Sequence, residues 1–169
     1  MVSLLVVSNM VACLLHPIDA PPALSKWEPL VREEACRQHI SPRVVLALIA
    51  VESGGNPRAR NNQAVGLMQI KPATARMVGY HGSLWRLFSP RNNIHFGVKY
   101  LKRLTARYHY GWDAVAAYNC GRPHWQRGRG FVCLGQSTNY VKKVAQTYKH
   151  LHARSVLAFL AYQPLYPPY

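Results

Sequence analysis

Acidic residues are scarce in this chain of 169 residues, which carries six aspartates and glutamates against twenty-one lysines and arginines. The formal net charge of +15 at pH 7 favours polyanionic partners, such as nucleic acid, anionic lipid or acidic wall polymers, because it raises their concentration near the surface. With so few acids, each one can be considered individually. They are Asp19, Glu28, Glu33, Glu34, Glu52 and Asp113.

Charged residues of either sign are also few, at 16% of the chain, whereas hydrophobic residues make up 49%. This composition excludes a disordered protein, because enough apolar area is available to offset the entropy lost on ordering. The chain is too short for two domains of ~100–150 residues each. We therefore expect one domain over residues 21–154, after a signal-like segment over 1–20 and before an apolar, proline-rich tail over 155–169.

The first twenty residues contain an apolar stretch of about the length of a signal-peptide core, which is too short to span a bilayer comfortably. We therefore predict export to the periplasm or cell envelope. The match is incomplete, because no lysine or arginine lies near Met1 and Ala20 is an indifferent cleavage site. Two alternatives stay open: lipidation of Cys13 and an ordinary buried N-terminal segment. We expect membrane attachment only if Cys13 is lipidated.

Cysteine is rare, and the four cysteines match no metal-ligand spacing. We expect no metal and no other cofactor. In an oxidising compartment we favour a Cys120–Cys133 disulfide, which would close a loop rich in glycine and arginine. Cys36 would then be a buried free thiol in a helix, with Cys13 removed or lipidated. The alternative is that all the cysteines are reduced.

Strand-like alternation and internal repeats are absent, whereas helix start and stop signals are frequent. The pattern predicts an all-α fold of about six short helices. Ser25 and Glu28 fit a capping box, and Ser41, Ser89 and Asp113 are predicted N-caps. The predicted helices span about residues 26–40, 42–52, 72–79, 90–108, 114–120 and 139–151.

Glu52 closes an apolar helix in the segment LIAVES. Burial and the negative end of the helix dipole both disfavour a carboxylate there and raise its pKa. A carboxyl that stays protonated near neutral pH can act as a general acid on a glycosidic oxygen. Arg58 and Arg60 would act in the opposite direction if they lay close. The alternative is a solvated glutamate at an ordinary helix end.

Two further segments place polar side chains among apolar ones. Gln69 lies within AVGLMQI and, if buried, needs hydrogen-bond partners that the hydroxyls and acetamides of a sugar could provide. Tyr118 and Asn119 end the segment DAVAAYN, where a phenol and an amide would suit a carboxyl and a sugar, although Tyr118 could equally be a core residue. Trp85 and Trp125 are similarly open between stacking on sugars and packing in the core.

In this order, these segments resemble the lytic transglycosylases of the soluble, goose-lysozyme-like (SLT) superfamily. The Glu-Ser motif is in ALIAVESGGNPRA, the Gly-Leu-Met-Gln motif in GLMQIKPATA, the Ala-Tyr-Asn motif in AAYNCG and the late tyrosine segment in NYVKKV. SPRNNIHFGVKYLKRL is similar to the helix that precedes the Ala-Tyr-Asn motif. The resemblance covers roughly residues 30–150 and implies a lysozyme-like fold. Cys120 and residues 122–135 depart from the family pattern.

The resemblance implies cleavage of the β-1,4 bond between N-acetylmuramic acid and N-acetylglucosamine in peptidoglycan, with a 1,6-anhydromuramic product. It makes Glu52 both the acid and the base. Tyr118 is expected to contact Glu52, and Gln69 and Asn119 are expected to contact sugar. A one-carboxyl mechanism suits a chain with almost no acid for the second position that most glycosidases need. The residues matched to the cleft are Ser53, Met68, Gln69, Tyr118, Asn119 and Tyr140.

Peptidoglycan glycan strands are therefore the expected partner, with a secretion, conjugation or pilus apparatus as a further expected partner. The same-class alternatives are a hydrolytic N-acetylmuramidase and a phage-encoded lysin. A catalytically silent wall-binding module is the alternative from another class. A nucleic-acid binder would depend on charge alone, and no recognised nucleic-acid motif accompanies the charge, so we expect no specific nucleic-acid partner.

Overall fold

The computed structural model describes residues 13, 18–108, 111–121, 124–126, 130–132 and 137–153. Eight helices lie in these ranges, and two of them are single turns of four residues. The predicted all-α class is confirmed. The helices are α1 (Pro22–Ser25), α2 (Glu28–Arg37), α3 (Pro42–Ser53), α4 (Pro72–Met77), α5 (Leu84–Leu87), α6 (Pro90–Arg107), α7 (Gly111–Cys120) and α8 (Ser137–His150).

In the same described ranges, three pairs of short antiparallel strands accompany the helices, and the sequence pattern did not predict them. In the first pair, Ile18 lies opposite Ala153 and Asp19 opposite His152, so a segment assigned to the signal-like region pairs with the chain after α8. The predicted tail over 155–169 and most of residues 1–17 lie outside the described residues. The strands are β1 (Ile18–Asp19), β2 (Arg60–Asn61), β3 (Ala64–Val65), β4 (His124–Gln126), β5 (Gly130–Val132) and β6 (His152–Ala153).

Helix α3 is the centre of the core. Its residues 45–49 are fully buried, and it packs against α1, α2 and α8. The predicted boundaries are confirmed: Pro42 occupies the first turn after Ser41, although the Ser41 hydroxyl makes no capping hydrogen bond. Gly54 ends the helix in the left-handed conformation, with φ +60°, and its N–H donates to the carbonyl of Ala50 at 3.1 Å.

Helix α6 carries the apolar stripe that the sequence predicts. The stripe residues are Ile94, Val98, Leu101, Leu104 and Tyr108, and all of them are buried. With this face α6 packs against α7, α2, α4 and α5. The three- and four-residue spacing therefore identified the side of the helix that faces the core. No helix in the described part of the chain is long and apolar enough to cross a membrane.

The predicted capping box is wrong. Ser25 ends the single-turn helix α1, where its hydroxyl donates to the carbonyl of Pro22 at 3.2 Å. Helix α2 begins at Glu28 with a proline in its first turn. Two prolines thus start two separate helices in place of one, because the fixed φ of proline suits a first turn. The Glu28 carboxylate accepts hydrogen bonds from Arg32 and from the N–H of Ile18 instead.

The predicted capping role of Asp113 is also wrong. Helix α7 already begins at Gly111, so Asp113 lies inside its first turn. A carboxylate is favourable near a helix N-terminus in either position, so the sequence does not distinguish them. Burial raises the pKa of Asp113.

Two cysteine predictions are wrong, because Cys13 and Cys36 form a disulfide. Cys36 is buried in α2, as expected, but it is not a free thiol, and the cysteines are not all reduced. The error came from treating Cys13 as removed or lipidated. Cys120 is disulfide-bonded as well. Its predicted pairing with Cys133 stays a prediction, since residue 133 lies outside the described residues.

Candidate active site

A groove of about 490 Å³ opens beside the C-terminal end of α3. Its volume falls within the range of pockets that bind small molecules, about 300–1,000 Å³. Strand β2 and helices α3, α7 and α8 all contribute to its wall. The described residues that line it are Val51, Glu52, Asn61, Asn119, Asn139, Tyr140 and Lys143.

Glu52 lies half-buried in the last turn of α3 and faces this groove. Burial raises the pKa of its carboxyl, and a hydrogen bond from the Tyr140 hydroxyl to Oε1, 2.5 Å long, acts in the opposite direction. The net pKa is above that of an ordinary glutamate, as the sequence predicts. Arg58 and Arg60 are exposed and form no ion pair with Glu52. The site therefore holds the proton of this carboxyl to higher pH than a solvated glutamate does.

The phenol that donates a hydrogen bond to Glu52 belongs to Tyr140, whereas the sequence analysis expected Tyr118 to contact Glu52. The Tyr118 hydroxyl donates to the carbonyl of Met68 at 2.9 Å. Burial raises the pKa of Tyr118 well above its usual value, and the nearby Glu52 carboxylate raises it further. Helix α8 packs across α3 and so brings Tyr140 to Glu52 across 88 positions of sequence.

Side-chain hydrogen bonds to backbone carbonyls hold the Gly-Leu-Met-Gln loop in place. The Ser53 hydroxyl donates to the carbonyl of Leu67 at 2.7 Å, which joins the end of α3 to the loop. The Met68 side chain is fully buried. The Gln69 amide nitrogen donates to the carbonyls of Ala59 and Gly66 at 3.0 and 2.9 Å. Ser53, Met68 and Gln69 are not among the described residues that line the groove, and sugar contact by Gln69 stays a prediction.

Asn93 in α6 organises this loop, and the sequence analysis missed it. Its side chain is fully buried. Oδ1 accepts from the N–H of Met68 at 2.8 Å, and Nδ2 donates to the carbonyls of Val65 at 2.8 Å and Leu87 at 2.9 Å. The loop lies close against α6 because Gly97 has no side chain: a Cβ there would lie 2.4 Å from the Met68 sulfur.

The sequence analysis also missed four residues that line the groove: Val51, Asn61, Asn139 and Lys143. Helical spacing could have found two of them, because residue 143 lies three positions after the predicted Tyr140 and residue 139 lies four positions before 143, and both spacings make side chains neighbours on a helix. Asn119, which the sequence analysis matched to the cleft, is exposed and lies in the groove wall.

The sequence analysis left Trp85 and Trp125 open between stacking on sugars and packing in the core. The side chain of Trp85 is 79% exposed, so core packing is wrong for it. Trp85 is not among the groove residues that the structure describes. The Trp125 side chain lies outside the described part of the structure.

The other three glutamates are engaged away from the groove. Glu34 contacts Arg37 and His95, Glu28 pairs with Arg32, and Glu33 pairs with Arg91 at 3.3 Å. Among the described residues of the groove wall, Glu52 carries the only carboxyl. A mechanism that uses two facing carboxyls therefore has no second partner in this wall.

Comparison with protein families gives a match to the transglycosylase SLT domain over residues 29–130. The chain is 44% identical over 87 residues to the endo-type membrane-bound lytic murein transglycosylase A of Cronobacter sakazakii, covering 47% of this chain and 43% of that protein. It is 32% identical over 93 residues to the membrane-bound lytic murein transglycosylase E of Buchnera aphidicola, covering 50% and 42%. The chain thus spans less than half the length of these curated relatives.

Solved structures show the same fold. The lytic transglycosylase Slt of Pseudomonas aeruginosa, solved as an inactive mutant, matches with a TM-score of 0.63 and 24% identity over 70% of this chain and 22% of that chain. The 70 kDa soluble lytic transglycosylase of Escherichia coli matches with a TM-score of 0.53 and 24% identity over 72% and 19%. The lysozyme-like fold expected from the sequence is confirmed.

Proposed function

The chain belongs to the transglycosylase SLT domain family, and on that premise we propose that it is a lytic transglycosylase of peptidoglycan. It cleaves the β-1,4 bond between N-acetylmuramic acid and N-acetylglucosamine and forms a 1,6-anhydromuramic product. The observation that carries the proposal is that Glu52, whose pKa is raised, is the only carboxyl among the described residues that line the groove.

In the first step the protonated Glu52 donates its proton to the glycosidic oxygen. The bond from C1 of the muramyl residue to that oxygen breaks, and the N-acetylglucosamine hydroxyl leaves with the proton. Glu52 is then a carboxylate, and the hydrogen bond from Tyr140 stabilises this charged form.

In the second step the Glu52 carboxylate removes the proton from the C6 hydroxyl of the same muramyl residue. The C6 oxygen bonds to C1, which closes the 1,6-anhydro ring and returns Glu52 to its protonated form without consuming water. Burial favours the neutral form, and the Tyr140 hydrogen bond favours the charged one. These opposed effects suit one group that acts first as an acid and then as a base.

Three asparagines in the groove wall supply the polar contacts that a glycan needs. The side chains of Asn61, Asn119 and Asn139 each offer two N–H donors and a carbonyl acceptor. Sugar hydroxyls and acetamides can use both kinds of group. We propose that these amides hold the strand across Glu52.

The proposal includes a location in the cell envelope, where the substrate lies. The names of the curated relatives, membrane-bound lytic murein transglycosylases, support it. Export to the periplasm and association with a secretion, conjugation or pilus apparatus stay predictions.

Mass spectrometry of digested, purified peptidoglycan tests the reaction. We expect muropeptides one water lighter than the products of hydrolysis. Products that retain the added water would make the protein an N-acetylmuramidase. Binding without any digestion would make it a silent wall-binding module. A parallel digestion with the Glu52→Gln variant controls for contaminating enzymes.

Replacing Tyr140 by phenylalanine should raise the pKa of Glu52 further, because the hydrogen bond that favours the carboxylate is lost. We expect kcat to fall by about 10- to 100-fold, the effect of removing a hydrogen bond to a charged group. In the pH profile of kcat/KM, the limb assigned to Glu52 should move to higher pH.

The matched control is Tyr148→Phe on the same helix, where the ring packs against Arg43 and Trp112. Tyr148→Phe should leave the pH profile of kcat/KM unchanged. A Tyr140→Phe profile that stays in place or moves to lower pH would contradict the assigned role of the hydrogen bond.

A further inference from the structure

Lys143 brings a positive charge into the groove wall. It is the only lysine or arginine among the described residues that line the groove. It lies on α8 three residues after Tyr140, whose hydroxyl contacts Glu52. Side chains three residues apart on a helix are neighbours, with Cβ atoms about 5–6 Å apart. The ammonium group therefore lies on the face of α8 that presents Tyr140 to the reacting carboxyl.

No carboxylate in the described part of the chain forms an ion pair with Lys143. Within the described ranges, the ion pairs join Arg32 to Glu28, Arg37 and His95 to Glu34, and Arg91 to Glu33. Glu52 faces the same groove, and burial raises the pKa of its carboxyl. When Glu52 holds the proton that it donates in the reaction, Lys143 is the only charged side chain among the described residues of the groove wall, and it attracts an anion.

We propose that Lys143 is a carboxylate-binding subsite of the groove, which makes the protein select glycan strands that carry a free carboxylate near the cleaved bond. The inference rests on the proposed function for the identity of the strand. N-acetylmuramic acid differs from N-acetylglucosamine by a lactyl ether that ends in a carboxyl. That carboxyl is free in a peptide-free strand; in a peptide-bearing strand it forms an amide, and the stem peptide supplies carboxylates of its own.

The adjacent residue, Lys142, provides a matched control. It is exposed like Lys143 but does not line the groove, because successive residues of a helix point about 100° apart. Replacing either lysine by methionine removes one positive charge from α8 and keeps most of the side-chain length. Only the position of the charge relative to the groove differs between the two variants.

Lys143 should act on binding and leave the chemistry of Glu52 unchanged. The pKa of Glu52 depends on its burial and on Tyr140, with no contribution from Lys143. We therefore expect Lys143→Met to leave kcat and the pH profile unchanged while it raises KM. An effect of Lys143 on the fold would instead lower thermal stability, which is measured for both variants.

Initial rates of the two variants on four substrates test the subsite. The substrates are peptide-free glycan, peptide-bearing peptidoglycan, and each of these after its carboxylates have been converted to amides. On the unmodified substrate that carries the bound carboxylate, Lys143→Met should raise KM about 5-fold, which corresponds to about 1 kcal/mol. On the amidated ones it should match wild type. Lys142→Met should stay within about 2-fold of wild type on all four.

The substrate that shows the effect identifies the carboxylate. An effect on the peptide-free glycan supports the lactyl carboxylate, and an effect confined to peptide-bearing strands supports the stem peptide. Equal effects of Lys142→Met and Lys143→Met would overturn the proposal in favour of general surface charge. An equal rise in KM on amidated strands would overturn carboxylate binding.

Direct binding separates this inference from the proposed reaction. The Kd of each strand for the Glu52→Gln variant, with and without Lys143→Met, reports the subsite without any turnover. A hydrolytic product from wild type would contradict the proposed function and leave this comparison intact. A normal anhydro product with an unchanged Kd would contradict the subsite alone.

Discussion

Replacing Glu52 by glutamine is expected to reduce kcat on peptidoglycan by about 10³-fold or more, because one carboxyl carries both proton transfers. No other carboxyl among the described residues lines the groove to substitute for it. Glutamine has nearly the same shape and can still accept the hydrogen bond that the Tyr140 hydroxyl donates to Glu52. Release of soluble muropeptides, measured at equal protein concentration, gives the rate.

The same variant should be at least as stable as wild type at neutral pH. The pKa of Glu52 is raised in the folded state, so the folded protein holds this proton to higher pH than the unfolded chain, which loses it near ~4.3. Stability from this group is therefore lost as pH rises from that value through the folded-state pKa. Glutamine does not ionise, so the variant does not lose stability in this pH range. Digestion by Glu52→Gln at the wild-type rate would remove Glu52 from the mechanism.

Replacing Asn93 by alanine should lower the free energy of unfolding by about 3 kcal/mol or more. The change removes three buried hydrogen bonds and leaves the Met68 N–H and the carbonyls of Val65 and Leu87 without their side-chain partner. Each such loss costs about 1 kcal/mol or more. Activity should also fall, because the loop that Asn93 holds supplies the Met68 carbonyl that accepts from Tyr118. Chemical denaturation measures the stability change.

Asn92→Ala is the matched control for this prediction. Asn92 precedes Asn93 in α6, and its amide donates one exposed hydrogen bond to the Arg86 carbonyl at 2.8 Å. Its replacement should cost no more than about 1 kcal/mol. Equal destabilisation by the two alanine variants would show that the buried hydrogen bonds of Asn93 do not make the expected contribution to the free energy of unfolding.

The parts of the fold that depend on local chemistry could be predicted from the sequence. Pro42 and Gly54 mark the two ends of α3, because the ring of proline fixes a helical φ in the first turn and glycine readily adopts the left-handed conformation after the last one. The apolar stripe of α6 follows from helix periodicity alone. The raised pKa of Glu52 could be predicted for the same reason, since it depends mainly on the burial that its own apolar helix predicts.

The parts that depend on contacts between distant segments could not be predicted. Tyr118 was the expected partner of Glu52, and Tyr140 was matched only to the cleft. The packing of α8 across α3 determines which phenol donates a hydrogen bond to Glu52. Asn93 has no distinguishing pattern around it, because its partners are backbone groups of a loop and a helix end 6 to 28 positions away. The Cys13–Cys36 disulfide was missed because Cys13 had been assigned to a removable segment.

The central claim is that Glu52 is a proton donor whose pKa is raised by its site, and carbon-13 NMR of the glutamate carboxyls tests it directly. The sequence contains four glutamates, and the resonance that Glu52→Gln removes identifies Glu52. Burial raises the pKa of Glu34, but hydrogen bonds from Arg37, Gln38 and His95 bring the net value below the usual range.

We predict that Glu52 titrates above the ordinary glutamate value of ~4.3 and at higher pH than Glu34. Titration of Glu52 at or below that ordinary value would contradict the account.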